Sequence, residues 1–265
     1  MKESEEARSA SDEREGLSGP AIFRAIAREG REELSRPAHS LWWSAVAAGL
    51  VISLSYSCKS FLHASLPDAP WRNAVSSLGY TVGSVVVILG RLQLFTENTI
   101  TTVLPLLEDK SMHALRCVAR LWGIVALGNL VGCFLAAALS VSTTISSADL
   151  LPMSLEVAEH YADRSLWQML GNGVPAGFIV AAMVWSSPAS GSSRFWVIVL
   201  LSYMISAGNM THVVAGSTEL FSLLLAGRMG VLEVALGTLA TGVGNVLGGT
   251  VFFSILAYGQ ARDEL

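Results

Sequence analysis

Six stretches of this chain are apolar over roughly the length a helix needs to cross a bilayer: approximately 41–62, 74–107, 115–141, 165–186, 195–226 and 231–258. A hydrocarbon core about 30 Å thick takes roughly 20 residues of helix. A backbone inside it must satisfy its own hydrogen bonds, which favours helices over irregular chain. The pattern dictates an all-α membrane protein. The charges agree: of 17 basic and 21 acidic side chains, 16 fall in the first 37 positions and three more at Arg262, Asp263 and Glu264. That leaves 19 for residues 38–261. At 14% charged residues, against about 25% in an average soluble protein, the chain lacks the polar surface of a water-soluble sphere.

Ahead of the first stretch, residues 1–19 are rich in Ser, Glu and Arg without apolar periodicity and read as a disordered acidic tail. Residues 20–37 set Ile22, Phe23, Ile26 and Leu34 against Arg24, Arg28, Arg31 and Glu32, the pattern of an amphipathic helix lying on a membrane surface. The six-span unit then covers 38–258, and 259–265 form a short tail. With six spans, twelve Lys or Arg residues share the side of both termini and four lie on the other. The positive-inside bias puts both termini in the cytoplasm, and the third-to-fourth connection, with Asp149, Glu156, Glu159 and Asp163, outside.

Several classes are excluded. A net charge of −4 with no Lys/Arg stripe offers nothing to nucleic-acid phosphates. Cys58, Cys117 and Cys133 are odd in number, lack metal-ligand spacing and read as small buried hydrophobes; no cofactor or metal site is expected. The chain contains no HExxH, GxSxG or P-loop pattern, so it is not read as an enzyme.

Two stretches are too long for one span and carry polar residues midway, Gln93 to Thr102 in the second and Gly208 to Glu219 in the fifth. Each is followed at a similar distance by a Gly-Asn-x-x-Gly, at Gly128-Asn129-Leu130-Val131-Gly132 and Gly244-Asn245-Val246-Leu247-Gly248. Three spans plus three, an odd number per half, require the halves to be inverted. Inverted repeats place solute sites near the midplane, at the paired broken helices. The glycines serve close helix packing, and Asn129 and Asn245 tie down the interrupted segments. The ionisable residues at membrane depth, which are usually functional, are Arg91, Glu97, His212 and Glu219. His212 either hydrogen-bonds in helix packing or exchanges a proton. Glu97 either acts directly or is satisfied by Arg91 or backbone donors, and Glu219 and Arg91 read as structural partners.

These residues resemble the formate/nitrite transporter family. Leu94-Phe95-Thr96 is similar to its Leu-Phe-Thr loop, and Gly208 to His212, with Asn209, to its second loop, which carries a central histidine. Gly30, Ala48-Gly49, Val184-Trp185 and Gly244 to Gly249 add to the similarity, which covers about 20–258. The resemblance implies an aquaporin-like protomer in the bacterial inner membrane, a homopentamer with one pore per subunit, and passage of small monovalent acids such as formate, nitrite or hydrosulfide. It implies a pore and proton relay of His212, Thr96, Glu97, Asn209 and Asn98. Leu94 and Val180 would form an inner apolar ring with Phe95 behind it. The outer narrowing, which bulky apolar residues usually form in the family, would fall here to Tyr80, Ser84 and Ile205. Glu97-Asn98-Thr99 replaces small neutral residues, Gly177 stands where an asparagine usually faces the histidine, and Arg164 is the nearest base to an expected lysine. These departures are most similar to the family's YfdC branch.

An anion crosses an apolar ring cheaply only once protonated, which gives His212 its place in a proton-coupled or pH-gated channel. A carboxylate at Glu97 close to His212 would raise the histidine's pKa and repel anions. The same fold conducting a neutral or cationic solute, or serving as a non-conducting scaffold, is the alternative.

Overall fold

The computed structural model describes residues 17–142 and 150–264. Residues 1–16 of the expected acidic tail, Asp149 and Leu265 lie outside them. Helix α1 (Gly19–Ser35) has Pro20 in its first turn, where a missing N–H costs nothing, and ends ahead of Pro37, which disfavours helical backbone before it. It buries Ile22, Phe23, Ile26 and Ala27 against Ile100, Leu104, Ala181 and Ala261, leaving Arg24, Arg28, Arg31 and Glu32 exposed.

Helices α2 (Ala38–Ile52) and α3 (Leu54–Ser65) form one apolar rod of 28 residues. Only Ser53 separates them, its hydroxyl donating to the Gly49 carbonyl at 2.7 Å. Next come α4 (Arg72–Leu89), α5 (Phe95–Thr101), α6 (Val103–Glu108) and the long α7 (Met112–Val141). The connection after α7, expected as an outside loop, contains a helix, α8 (Leu150–Ala162). Leu151, Leu155 and Ala158 recur at helical spacing and pack on Tyr56 and Leu223. Helix α9 (Leu166–Ser186) starts on a capping box, in which Ser165 and Gln168 each bond the other's backbone N–H. Then follow α10 (Arg194–Ala207), α11 (Val213–Leu225) and α12 (Val231–Val246). The last helix continues through a π-helical stretch, Leu247–Ser254, into α13 (Ile255–Ala261), past the boundary expected at 258.

Five of these rods are long and apolar enough to cross a membrane: Ala38–Ser65, Arg72–Leu89, Met112–Val141, Leu166–Ala189 and Val231–Glu264. The stretch expected at 195–226 is two shorter helices, α10 and α11. Both interruptions are also narrower than the polar residues suggest, running only over residues 90–94 and 208–212. Polar side chains after each break are satisfied within the chain, their hydroxyls donating to carbonyls one turn earlier. Thr99 donates to the Thr96 carbonyl and Thr102 to that of Asn98, each at 2.7 Å. No strand occurs among the described residues.

Helix α2 packs along α7, and α9 along α12. The crossings are closest where a glycine of one helix meets the backbone of an asparagine in the other: Gly49 against Asn129, and Gly177 against Asn245. Large apolar side chains cover the outside; Trp43, Leu127, Trp167, Trp196, Leu232 and Leu256 are each at least 60% exposed. Such a surface suits hydrocarbon rather than water. Cys133 is buried, whereas Cys58 and Cys117 are part-exposed, short of the burial expected for them.

Candidate functional site

The two breaks are fixed by the same device. A chain that leaves helical geometry inside a membrane frees backbone groups that must find partners. At the first break, Asn129 of α7 accepts from the Phe95 N–H at 2.9 Å and donates to the carbonyls of Gln93 and Ala45, each at 2.8 Å. At the second, Asn245 of α12 accepts from the Val213 N–H at 2.8 Å and donates to the carbonyls of Thr211, at 2.9 Å, and Gly173, at 2.8 Å. In each case one amide caps the new helix, holds the carbonyl two residues earlier, and ties both to a neighbouring helix. Both breaks contain a non-glycine residue in left-handed backbone, Arg91 and Asn209, each with φ near 52°.

The breaks meet through side chains. Thr96 Oγ1, in the first turn of α5, lies 2.8 Å from Nε2 of His212, the residue that caps α11. His212 Nδ1 accepts from the Ala215 N–H at 3.2 Å. With Nδ1 an acceptor, the neutral ring carries its proton on Nε2, and this N–H donates to the Thr96 oxygen. Both residues are buried.

Around this junction Leu94, Val180, Tyr80 and Ile205 belong to one apolar cluster with Val213 and Ala176, and Phe95 packs on its edge. Phe95 also sets its ring against Trp122 at 5.6 Å, edge to face. Ser84 is buried in α4. The apolar positions read from the sequence as constrictions thus sit together.

A cavity opens on either side. One, of about 640 Å³, lies between α1, the first break and the α9–α10 corner; its lining includes Glu29, Glu33, Arg91, Gln93, Glu97 and Arg194. The other, of about 30 Å³, is lined by Lys59, Tyr80, Tyr161, Arg164, His212 and Glu219 among others. Glu97 lines the larger cavity with residues of α1, whereas His212 lines the smaller one. Arg91 does not serve as a partner for Glu97. The Arg91 side chain is largely exposed and pairs with Glu29 of α1 at 3.3 Å. The inverted backbone at Arg91 sends it outward. Asn98 is buried in local bonds, donating to Gln93 Oε1 at 3.1 Å and the Leu94 carbonyl at 3.2 Å. Asn209 lines the smaller cavity, and its carbonyl accepts from Arg164 at 3.2 Å.

Several groups at the site were not singled out by sequence. Gln93 links the first break to α1, its amide donating to Glu33 Oε2 at 2.6 Å. Lys59 lines the smaller cavity with Glu219 and with Arg164, which the resemblance had named only as the nearest base to an expected lysine, and Arg194 lines the larger one with Glu97. All three bases sit near span ends, where counting assigns them to loops. Their signal was the scarcity of charge itself.

A family model described as formate/nitrite transporter matches residues 20–259. The chain is 35% identical over 249 residues to the inner membrane protein YfdC of Escherichia coli (strain K12), covering 92% of this chain and 79% of the relative. It is 23% identical to the formate channel BtFdhC of Bacillus thuringiensis, over 87% of this chain and 90% of that protein. Among solved structures, an FNT family ion channel superposes with a TM-score of 0.78 at 20% identity, covering 90% of this chain and 98% of that one. A pentameric formate channel with formate bound superposes with a TM-score of 0.68 at 16% identity, over 85% and 98%.

Proposed function

The chain belongs to the formate/nitrite transporter family, and we propose that it is a channel of the bacterial cytoplasmic membrane for small monovalent acids and their anions, formate or nitrite in kind. In this reading α4 to α6 make the second span and α10 with α11 the fifth, giving six spans as an inverted repeat of three and three. The matched bonds of Asn129 and Asn245 support that arrangement. The Lys/Arg bias supports cytoplasmic termini, with α1 at the membrane surface over the larger cavity. Likeness to a pentameric channel supports five copies, each with its own pore.

The observation that carries the function is the Thr96–His212 hydrogen bond, set within an apolar cluster that has a cavity on each side. An anion entering that cluster loses hydration worth several kcal/mol even after relaxation. Protonation to the neutral acid removes most of this cost. His212 is the titratable side chain at the junction: its Nε2–H can donate to an arriving carboxylate in place of Thr96, and once Nδ1 has taken a proton from cavity water, giving up the Ala215 N–H, the Nε2 proton can pass to the carboxylate, which returns the ring to neutral and lets the neutral acid pass Leu94 and Val180. The N-terminal end of α11 adds a positive dipole facing the same point.

The test is flux in proteoliposomes at pH 5 and pH 8, with formate, nitrite, hydrosulfide, lactate, ammonium and urea compared for wild type and His212→Phe. Formate or nitrite flux that is faster at pH 5 and lost in the variant is expected; unchanged flux in the variant would refute the role of His212. Glu97 in the larger cavity favours a second reading, a pore for a neutral or cationic solute. A reversal potential that tracks ammonium and ignores formate would select it.

A further inference from the structure

Of the eight charged side chains that line the larger cavity four are paired, and Arg28 and Glu32 are exposed on α1. Arg91 is held by Glu29, Arg36 by Glu33 at 2.9 Å, and the second Glu33 contact is Gln93. Two charged side chains from the body of the protein are left over. Glu97, in the first turn of α5, makes no hydrogen bond or ion pair among the described residues, although it feels the fields of Arg194, Glu29 and Glu33. Arg194, the first residue of α10, lines the same cavity, and its Nε is buried with no acceptor. An arginine donor out of water and without a partner is a site lacking its acceptor. The guanidinium fork matches a carboxylate better than any other small anion-binding group. The two residues face one cavity yet do not close on each other.

We propose that Arg194 and Glu97 form a docking station for a small monovalent carboxylate, in which Arg194 holds the anion and Glu97 keeps the hold weak. The proposal rests on the channel reading above and names the residues that set specificity at the α1 side of the pore. A conducting site must bind well enough to fill and loosely enough to empty. An arginine with an unpaired, buried Nε would hold an anion tightly on its own; a nearby carboxylate opposes it by like-charge repulsion without occupying the arginine's donors. Glu97 thereby acts on release, from a cavity that His212 does not line. Neutral solutes of the same size gain little from the station, and an ammonium ion meets Arg194 as a repulsive neighbour.

The experiment measures formate flux through the full-length protein in planar bilayers, with formate applied to each face in turn. Arg194→Gln should raise the half-saturating concentration on the α1 face by about tenfold, the scale of one close charge interaction in a partly solvated site. The opposite face should be unaffected. Glu97→Gln should lower half-saturation on the α1 face, and Arg194→Lys should restore part of what Arg194→Gln loses. Equal shifts on both faces, shifts of the same sign in the two Gln variants, or no shift would overturn the station. Folding is checked independently by thermal unfolding of each variant in detergent, and Arg194→Lys carries the test should Arg194→Gln fail to assemble. A wild type that passes no formate from either face would sink the channel reading itself, whereas wild-type flux with unshifted variants would sink the station alone.

Discussion

Asn129 and Asn245, 116 positions apart by their numbering, make the same three hydrogen bonds to two different breaks. Each accepts from the first amide of the helix that follows and donates to the carbonyl two residues before it and to one on an adjacent helix. An asparagine suits this place because its short side chain offers an acceptor and two donors in one plane. No apolar residue can replace it without stranding backbone groups where water does not reach.

Asn129→Leu and Asn245→Leu should each destabilise the fold by about 3 kcal/mol or more, since up to three buried groups lose partners at roughly 1–3 kcal/mol apiece. The damage should be local at first. Amide exchange should accelerate at Phe95 in the Asn129 variant and at Val213 in the Asn245 variant, with the other break still protected. If both breaks lose protection together in either variant, each asparagine is not the independent clamp its bonds indicate.

Thr96 offers an oxygen to the Nε2–H of His212, and the contribution of that oxygen separates cleanly from side-chain volume. Thr96→Ser keeps the hydroxyl and should hold flux within about threefold of wild type. Thr96→Val is nearly isosteric but leaves a buried N–H unpaired, a cost of about 1–3 kcal/mol, and should reduce flux at least tenfold. Nitrogen NMR of labelled His212 should show Nε2 protonated and Nδ1 as acceptor in wild type. Equal flux from the Ser and Val variants would mean that the hydrogen bond at 2.8 Å has no part in conduction.

Much of this arrangement is legible in the sequence because it is local or repeated. The excess length of two apolar stretches announces the breaks, and the two Gly-Asn-x-x-Gly pieces point to their clamps. What stayed hidden depends on direction or on distant partners. Whether Glu97 faces His212 or α1 is decided by the helical phase of α5, which starts only at Phe95; polar residues alone suggested a break reaching Thr102. Arg91 looked like a membrane-depth charge, but its left-handed backbone turns it outward to Glu29. Helix α8 was missed because its acids and histidine at Glu156, Glu159 and His160 mask an apolar face that packs on Tyr56 and Leu223.

Leu94 and Val180 lie in the cluster between the two cavities, so trimming either should widen the passage as well as weaken the fold. Leu94→Ala removes three carbons from a buried site, and large-to-small changes of this kind cost about 2–5 kcal/mol. Lactate flux should rise relative to formate flux in Leu94→Ala, and in Val180→Ala by a smaller factor. Measured flux ratios that stay at the wild-type value in both variants would place the selective step elsewhere.

Gly177 stands where the resemblance led us to expect an asparagine, and the packing leaves no room for anything larger there. A Cβ at Gly177 would run into the backbone carbonyl of Asn245, which is itself fixed by the clamp on the second break. Gly171, six residues earlier in α9 and on its exposed face, has open space where a Cβ would stand. In a helix interior alanine is favoured over glycine by up to about 1 kcal/mol, so Gly171→Ala should leave the melting temperature in detergent unchanged or slightly higher. Gly177→Ala should lower it sharply, because α9 must move off α12 and take Gly173, which accepts from Asn245, with it. Gly177→Asn should be worse still, and a Gly177→Asn protein as stable as wild type would show that α9 and α12 do not touch at this crossing.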